Sequence, residues 1–287
     1  MRILVIKNKD LIFFQKERLI EACDDNPESS LRKLFIYSYS IKIEEYIYYL
    51  DRQVNEKKYK YFCTLIDRRI KGEPISHITG VRYFWKDEFI VSSDVLDPRP
   101  ESELIVEIGR EFLIDGTSVL DIGSGSGCVG LSLLRENPNI QLTLSDISNS
   151  SIVISEKNAK KLRMKCKIIY SNLFENIKNK FNLIVCNLPY IKRSDLMYLS
   201  SEVILFEPHE ALIGGEVGLE LIYQFLNKVS FYLVDNGAFI FEIGIDQIDA
   251  IVEKLNVLEF SDYQIFPDIN GISRTVCVQK DTKIGYI

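Results

Sequence analysis

Two patterns of apolar positions divide the chain. Up to about residue 72 the apolar residues recur every three or four positions. Tyr59, Phe62, Cys63, Ile66 and Ile70 form one such stripe, which stops at Gly72 and Pro74. An earlier helix opens at Asn26-Pro27-Glu28 and runs into Leu31, Leu34 and Phe35. Asn26 can cap it, Pro27 fits the first helical position, and Glu28 suits the positive end of the helix dipole. From Ser118 the pattern becomes short apolar runs separated by loops and amphipathic stretches. Strands are predicted at 118–122, 140–145, 166–170, 182–187, 237–243, near 262–266 and at 274–279, with helices between the earlier ones. This alternation predicts an α/β domain built on a mostly parallel sheet of seven strands wound on both faces, preceded by a small helical domain.

Between the two patterns, Tyr83 to Val95 is rich in aromatic and β-branched residues and predicts a short hairpin. Asp97-Pro98-Arg99-Pro100-Glu101-Ser102-Glu103 then opens a helix that turns Leu104, Ile105, Ile108 and Phe112 to a core. The expected division is a helical domain over 1–80, a hairpin linker over 81–97 and the α/β domain over 98–287. The paired Arg68 and Arg69 are read as a solvated helix face.

Composition narrows the class. Of 287 residues, 46% are hydrophobic and 26% charged, the balance of a globular protein. No apolar run reaches 18 residues, so no membrane span is expected. Lys7, Lys9 and Asp10 break up the apolar N-terminus, which is therefore not read as a signal peptide. Six cysteines without a CxxC pair point to free thiols in a reducing cytoplasm. The two histidines, His77 and His209, lie far from any cysteine pair and are read as structural, so no metal site is expected. The net charge of −6 is carried by the residues after 80, which makes the α/β domain a poor binder of a phosphate backbone.

Candidate chemistry centres on Phe181-Asn182-Leu183-Ile184-Val185-Cys186-Asn187-Leu188-Pro189-Tyr190. A strand buried on both faces ends in a polar, stiff, aromatic-ended tetrapeptide. Asn187 offers an amide oxygen as acceptor. Pro189 fixes its own φ and keeps Leu188 extended, which aims the Leu188 carbonyl. Tyr190 adds an aromatic face. Two acceptors above a ring suit a planar group bearing an NH2. Taken alone, the tetrapeptide also fits an ordinary turn after a strand.

A second cluster lies on the preceding strands. Val119-Leu120-Asp121-Ile122 leads into Gly123-Ser124-Gly125-Ser126-Gly127, a loop whose backbone N–H groups can approach a ligand closely. Gly125 to Gly130 also satisfies GxGxxG, the pattern of a dinucleotide site. Asp121 disfavours that reading, because a carboxylate there repels a pyrophosphate and suits an ammonium or sulfonium group. Asp146 ends the second predicted strand and can accept both hydroxyls of a ribose. Asn172 follows the third, where its amide can meet an adenine edge and Leu173 or Phe174 its face. A glycine loop, a ribose acid and an adenine contact on successive strands describe an adenosine cofactor without phosphates, S-adenosylmethionine. Asp146 and Asn172 taken singly also fit helix caps.

These segments together resemble the release factor glutamine methyltransferases, the protein-glutamine N-methyltransferases of class I peptide chain release factors. The likeness spans about residues 60–280. It rests on Gly72-Glu73-Pro74-Ile75-Ser76-His77-Ile78-Thr79-Gly80, Pro98-Arg99-Pro100-Glu101, the glycine loop, Asn187 to Tyr190, Phe206-Glu207-Pro208, Ala211-Leu212 with Gly214-Gly215, and Phe241-Glu242-Ile243-Gly244. The resemblance implies a Rossmann-like class I methyltransferase sheet and a helical domain that docks the release factor. It further implies methylation of the glutamine in that partner's Gly-Gly-Gln motif; a cytoplasmic monomer is expected, although the sequence does not itself fix the oligomeric state. Carried over, Asp121 and Gly123 to Gly127 hold the methionine part of the cofactor, Asp146 the ribose, and Asn172 and Leu173 the adenine. Asn187, Leu188, Pro189 and Tyr190 hold the glutamine amide, with Asn187 also beside the cofactor. Two positions depart from the family pattern: Leu188 stands for a proline and Asn172 for an aspartate. Asn-Leu-Pro-Tyr is also the form used by ribosomal RNA adenine dimethyltransferases. An RNA adenine, a glutamine of a large-subunit ribosomal protein, and adenosine binding without turnover are the competing readings.

Overall fold

The computed structural model describes residues 6–280. Residues 1–5, part of the predicted helical region and of the N-terminus read as lacking a signal peptide, lie outside it. So does Asp281–Ile287, a tail to which the sequence assigns no role. The chain divides into two compact units, Met1–Gly80 with Ser200–Phe206, and Val81–Leu199 with Glu207–Ile287. Among the described residues no helix is long and apolar enough to cross a membrane.

The first unit contains helices α1 (Asn8–Glu21), α2 (Pro27–Tyr39), α3 (Tyr46–Leu50), α4 (Glu56–Ile70) and α5 (Ile75–Thr79), joined by α9 (Ser201–Phe206) from later in the chain. Helix α2 begins as its sequence dictates: the Asn26 side chain accepts the Ser29 N–H at 3.1 Å, and Pro27 occupies the first turn. Gly72 ends the α4 region with φ +87°, a conformation that favours glycine. Leu19, Leu31, Leu34, Phe35, Phe62, Leu65 and Ile66 form the core, with the Phe35 ring edge-on to Phe62 at 5.6 Å. Arg69 is not on a solvated face. Its guanidinium donates to Asp24 at 2.8 Å and to Glu202 of α9 at 2.6 Å, and its side chain is only 12% exposed. The partners lie 45 and 133 residues away, so helical spacing could not announce them.

The second unit is a seven-stranded sheet. Its strands are β3 (Ser118–Ile122), β4 (Gln141–Asp146), β5 (Lys167–Tyr170), β6 (Phe181–Cys186), β9 (Leu233–Glu242), β10 (Tyr263–Pro267) and β11 (Ser273–Gln279), in the order β10-β11-β9-β6-β3-β4-β5. Strand β11 runs antiparallel to both neighbours, and the β9-β6-β3-β4-β5 pairings are parallel. Helices α6 (Glu103–Gly109), α7 (Cys128–Glu136), α8 (Asn149–Lys161), α10 (Glu220–Val229) and α11 (Ile248–Val257) accompany the sheet. Among the described residues the two largest apolar clusters of this unit share the strands between them. Leu120, Ile184, Phe239 and Phe241 belong to one, and Val119, Leu183, Val185 and Ile240 to the other. Alternate residues of β3, β6 and β9 thus enter different clusters, the mark of strands buried on both faces.

A hairpin, β1 (Val81–Phe84) and β2 (Asp87–Ile90), belongs to this unit. Asn158 of α8 accepts the Ile90 N–H and donates to the Ile90 carbonyl, at 2.6 and 2.9 Å. A short parallel pair, β7 (Ile191–Lys192) and β8 (Ile213–Gly215), follows the carboxyl end of β6. In the register of the sheet Ile122 lies opposite Ser145 and Cys186, and Cys186 opposite Phe241. The glycine loop, Asp146, Asn187 and Glu242 therefore emerge together along one edge, the carboxyl ends of parallel strands where such sheets take ligands.

Candidate active site

The glycine loop follows β3 and lies against the end of β4. Gly123 and Ser124 N–H both donate to the Ser145 carbonyl, at 2.8 and 3.0 Å. Gly123, Gly125 and Gly127 all have φ between +55° and +80°, a left-handed conformation in which a Cβ is strained. The turn delivers the chain into α7. The loop's outer carbonyls are held by α8, through Ser155 Oγ–H to Gly125 O at 2.8 Å and Asn158 Nδ2–H to Ser126 O at 2.9 Å. Asn158 thus ties the hairpin to the loop, a support that the sequence pattern did not disclose.

Asp121 is placed beneath the loop, only 2% exposed. Its Oδ2 accepts the Gly130 N–H at 2.9 Å, in the first turn of α7, so the carboxylate interacts with the positive end of that helix. Gly130 is thus a partner within the chain for this carboxylate. The close approach explains Gly130, where a Cβ would lie 3.0 Å from Asp121 Oδ2 and closer still to Leu144. Burial pushes the Asp121 carboxyl up to about 7, opposed by the Gly130 hydrogen bond and reinforced by the Asp146 charge. The proton is held more tightly in the folded chain than in the unfolded one. The associated stability is therefore full at acid pH, below the ordinary value of 3.8, and is lost as pH rises through about 7. Asp121→Asn keeps an acceptor for Gly130 without a buried charge. Its melting temperature is expected to equal or exceed the parent's at pH 8, with the lead shrinking towards pH 5. A scan of melting temperature against pH checks this, and a variant less stable at pH 8 would show that the charge itself holds α7.

Asp146 ends β4 and is 7% exposed. Oδ2 accepts the Gly125 N–H and Oδ1 the Ser148 N–H, each at 2.8 Å. These bonds, with further hydrogen bonding from the Ser151 side chain and the Ile147 backbone, fix the plane of the carboxylate. Burial raises its pKa and the backbone donors lower it. After β5, Asn172 donates to Glu175 Oε1 at 3.0 Å, which leaves its amide oxygen as acceptor. Leu173 is buried with φ +46°. Phe174, the other residue expected over an adenine, stacks on Tyr232 and Phe225 with centroids 4.3 and 5.7 Å away. It is core, and only Leu173 remains for that role.

The strand β6 presents the tetrapeptide. Asn187 is half-buried, and its Nδ2 donates to Ser102 Oγ at 2.8 Å and to Glu242 Oε2 at 3.0 Å. Ser102 Oγ and Glu242 Oε2 are themselves 2.6 Å apart and so share one side of the NH2, which turns the amide nitrogen towards them and leaves Oδ1 as the free acceptor. Leu188 is buried in the main core with its Cδ2 within 3.2 Å of where a Cβ on Gly123 would stand. Its side chain thus locks the tetrapeptide against the glycine loop, packing where the family's proline would act through ring stiffness. The Tyr190 hydroxyl donates to Glu242 Oε1 at 3.0 Å, and Gln247 Nε2 donates to the Tyr190 carbonyl at 3.0 Å and the Gly218 carbonyl at 3.1 Å. Arg99 donates to both Glu207 oxygens at 2.7 Å, which joins the Pro98–Glu101 and Glu207-Pro208 segments.

Strand β8 lies close behind the tetrapeptide. A Cβ on Gly214 would meet Pro189 O at 2.5 Å and both Gly218 O and Tyr190 Cα at 2.8 Å. All three are backbone atoms that cannot swing aside. Gly214→Ala is expected to push the tetrapeptide out of line and lower methyl transfer about tenfold, with cofactor affinity unchanged. Steady-state kinetics beside calorimetric titration of the cofactor would show it.

Sequence reasoning placed Asn187, Leu188, Pro189, Tyr190, the loop, Asp146 and Asn172 along one edge, and the structure brings them to it. It assigned no role to Glu242, Ser102 or Gln247. Glu242 had a signal: it is an acidic residue closing the apolar run Phe239-Ile240-Phe241, as Asp121 and Asp146 close or nearly close theirs.

Comparison with known proteins adds the family. Residues 84–234 match the family model "Methyltransferase small domain", and residues 13–80 match "PrmC N-terminal domain". A release factor glutamine methyltransferase of Koribacter versatilis is 32% identical, over 92% of this chain and 95% of the relative. One from Geobacter sulfurreducens is 34% identical over 79% and 80%. A bifunctional methyltransferase of Rickettsia conorii is 33% identical over 93% of this chain. The chain spans 57% of that protein and 53% of two other Rickettsia bifunctional methyltransferases, about half their length. Among solved structures, a Pyrococcus furiosus methyltransferase aligns over 76% of this chain and 96% of its own, with TM-score 0.51 and 17% identity. A Thermus thermophilus 16S ribosomal RNA methyltransferase, solved with AdoMet and guanosine, aligns over 70% and 49%, with TM-score 0.52 and 20% identity. Both likenesses establish the methyltransferase fold. The matches over most of the length of the Koribacter and Geobacter proteins go further, and the chain belongs to the release factor glutamine methyltransferase family.

Proposed function

We propose that the protein transfers a methyl group from S-adenosylmethionine to the side-chain nitrogen of the glutamine in the Gly-Gly-Gln motif of class I release factors. The observation that carries this is the orientation of Asn187. Its NH2 is engaged by Ser102 and Glu242, so its oxygen is the atom presented to a substrate NH2. Family membership supplies the substrate class.

The residues fit the cofactor. The loop leaves open space at Gly125, where a Cβ would meet nothing within 4 Å. Ser124 Oγ is buried without a hydrogen-bond partner among the described residues, an atom awaiting a polar ligand. Gly123 to Gly127 would hold the methionine part, with Asp121 acting through α7, Asp146 the ribose hydroxyls, and Asn172 and Leu173 the adenine. When bound, S-adenosylmethionine supplies an electrophilic methyl group on sulfonium.

An amide nitrogen is a weak nucleophile because its lone pair is delocalised into the carbonyl. Asn187 Oδ1 and the Leu188 carbonyl accept its two hydrogens, draw electron density onto nitrogen and aim it. Tyr190 supports the amide plane from below, its ring held by the bond to Glu242. Alignment of this kind can supply several kcal/mol, within the ~7–11 kcal/mol available to orientation. S-adenosylmethionine held there would give its methyl group to that nitrogen, its sulfur keeping the bonding pair as the thioether, and one amide proton would leave to water. The reading includes a monomer in the cytoplasm whose helical unit docks the release factor and which makes no direct contact with nucleic acid. The net charge of −6 supports the last point. Incubating the purified protein with labelled S-adenosylmethionine, a release factor, ribosomal RNA and ribosomal protein tests it. Label is expected on the release factor, and label confined to RNA adenine would overturn the reading.

A further inference from the structure

Behind the tetrapeptide lies a buried carboxylate whose contacts the proposed chemistry relies on and whose own part in it is still unassigned. Glu242 closes β9 and is 1% exposed. Its Oε2 accepts Ser102 Oγ–H at 2.6 Å and Asn187 Nδ2–H at 3.0 Å, and its Oε1 accepts the Tyr190 hydroxyl at 3.0 Å. Three donors from two segments, Ser102 at 140 residues and the two ends of the tetrapeptide at 55 and 52, converge on one buried side chain. A buried charge is costly, and one kept at such a place is a candidate for function.

We infer that Glu242 is the positioning residue of the substrate clamp, a buried carboxylate that forces the Asn187 amide to face the substrate with its oxygen. This rests on the proposed glutamine methylation and names what orients its binding site. The physical reason is the asymmetry of the amide. An ionised carboxylate only accepts hydrogen bonds, so Asn187 must turn its NH2 towards Glu242; the flipped rotamer would set oxygen against oxygen. The same carboxylate fixes Tyr190, so one side chain sets both the acceptor and the ring. Its negative charge also polarises the Asn187 amide towards a more negative oxygen, which favours the positive charge that grows on the substrate nitrogen during transfer. Burial raises the Glu242 pKa, and Glu101 adds to this. The Ser102 and Tyr190 hydrogen bonds and the Arg274 charge lower it.

The test uses the full chain and two independent readouts. The first is hydrogen exchange of the Asn187 side-chain NH2 in 15N-labelled protein without substrate, assigned by its absence in Asn187→Asp. Glu242→Gln is expected to quicken that exchange at least about tenfold, since a bond to a charged acceptor is lost. The second readout is a mutant cycle in methyl transfer. Glu242→Gln alone is expected to lower kcat about 10²-fold with the KM for the release factor within a few-fold, and Asn187→Asp to lower it further by facing two carboxylates. In the double variant the introduced amide donates to the introduced carboxylate, whose second oxygen can accept the substrate NH2. It is expected to recover at least about tenfold over Asn187→Asp. A residue that merely supported the fold would give no such recovery. Unchanged exchange in Glu242→Gln, or a double variant no better than Asn187→Asp, would overturn the inference. If Glu242→Gln does not fold, Glu242→Asp, which draws the charge back by one methylene, carries the exchange readout and the fall in kcat at unchanged KM, and unchanged values of both would overturn the inference. Failure of the parent protein to methylate a release factor would sink the proposed function instead, and the exchange readout would still decide the role of Glu242.

Discussion

Asn187→Ala is expected to lower methyl transfer to the release factor about 10²- to 10³-fold, the loss typical when one preorganised hydrogen-bonding group at a reacting centre is removed. The substitution takes away the oxygen that accepts the substrate NH2 and leaves the Leu188 carbonyl alone to aim the nitrogen. The surrounding structure has reason to survive. Glu242 keeps Ser102 and Tyr190 as donors, and Asn187 is half-buried rather than part of the apolar core. S-adenosylmethionine affinity should change only a few-fold, because the glycine loop, Asp146 and Asn172 lie on other segments. Single-turnover rates paired with calorimetric titration of the cofactor separate the two effects. Activity close to that of the parent would mean that the tetrapeptide is a turn and not a clamp.

The complementary loss is expected at Asp146. Asp146→Ala should weaken S-adenosylmethionine binding by about 10²-fold, since two charge-assisted hydrogen bonds to a ribose disappear together. A second contribution comes from the loop, because the Gly125 N–H that Asp146 now accepts at 2.8 Å loses its partner. With saturating cofactor, kcat should return to within a few-fold of the parent value, which sets this variant apart from Asn187→Ala. Titration of the cofactor against each variant, with melting temperatures alongside, checks it. Unaltered affinity would place Asp146 among helix caps, a role that its bond to Ser148 already permits.

Much of this architecture was legible because local and global preferences agree. Leu183 to Cys186 is a short apolar run, and the structure buries it on both faces of the sheet. Asn26-Pro27 carries the chemistry of a helix start, and the helix starts there. Glycines in the loop after β3 take the φ values that only glycine adopts without strain. What remained hidden depends on partners distant in the chain. Arg69 reads as surface on its own helix, yet Asp24 and Glu202 enclose it. Phe174 sits beside the adenine contact in sequence, but Phe225 and Tyr232 draw its ring into the core. Asp121 ends beneath the loop, and its bond to the Gly130 N–H of α7 is a contact the sequence pattern did not announce. Glu242 was visible as a charge at the end of an apolar strand. Its meaning came only when Ser102, Asn187 and Tyr190 were seen to meet on it.

The experiment to make first is to treat a purified class I release factor with the protein and S-adenosylmethionine, digest it, and locate the added mass by tandem mass spectrometry. Glutamine methylation predicts a single methyl group on the side-chain amide of the glutamine in the Gly-Gly-Gln peptide, absent when that glutamine is replaced and absent with Asn187→Ala. A methyl group on any other residue, or an unmodified release factor beside methylated adenine in ribosomal RNA, would contradict it.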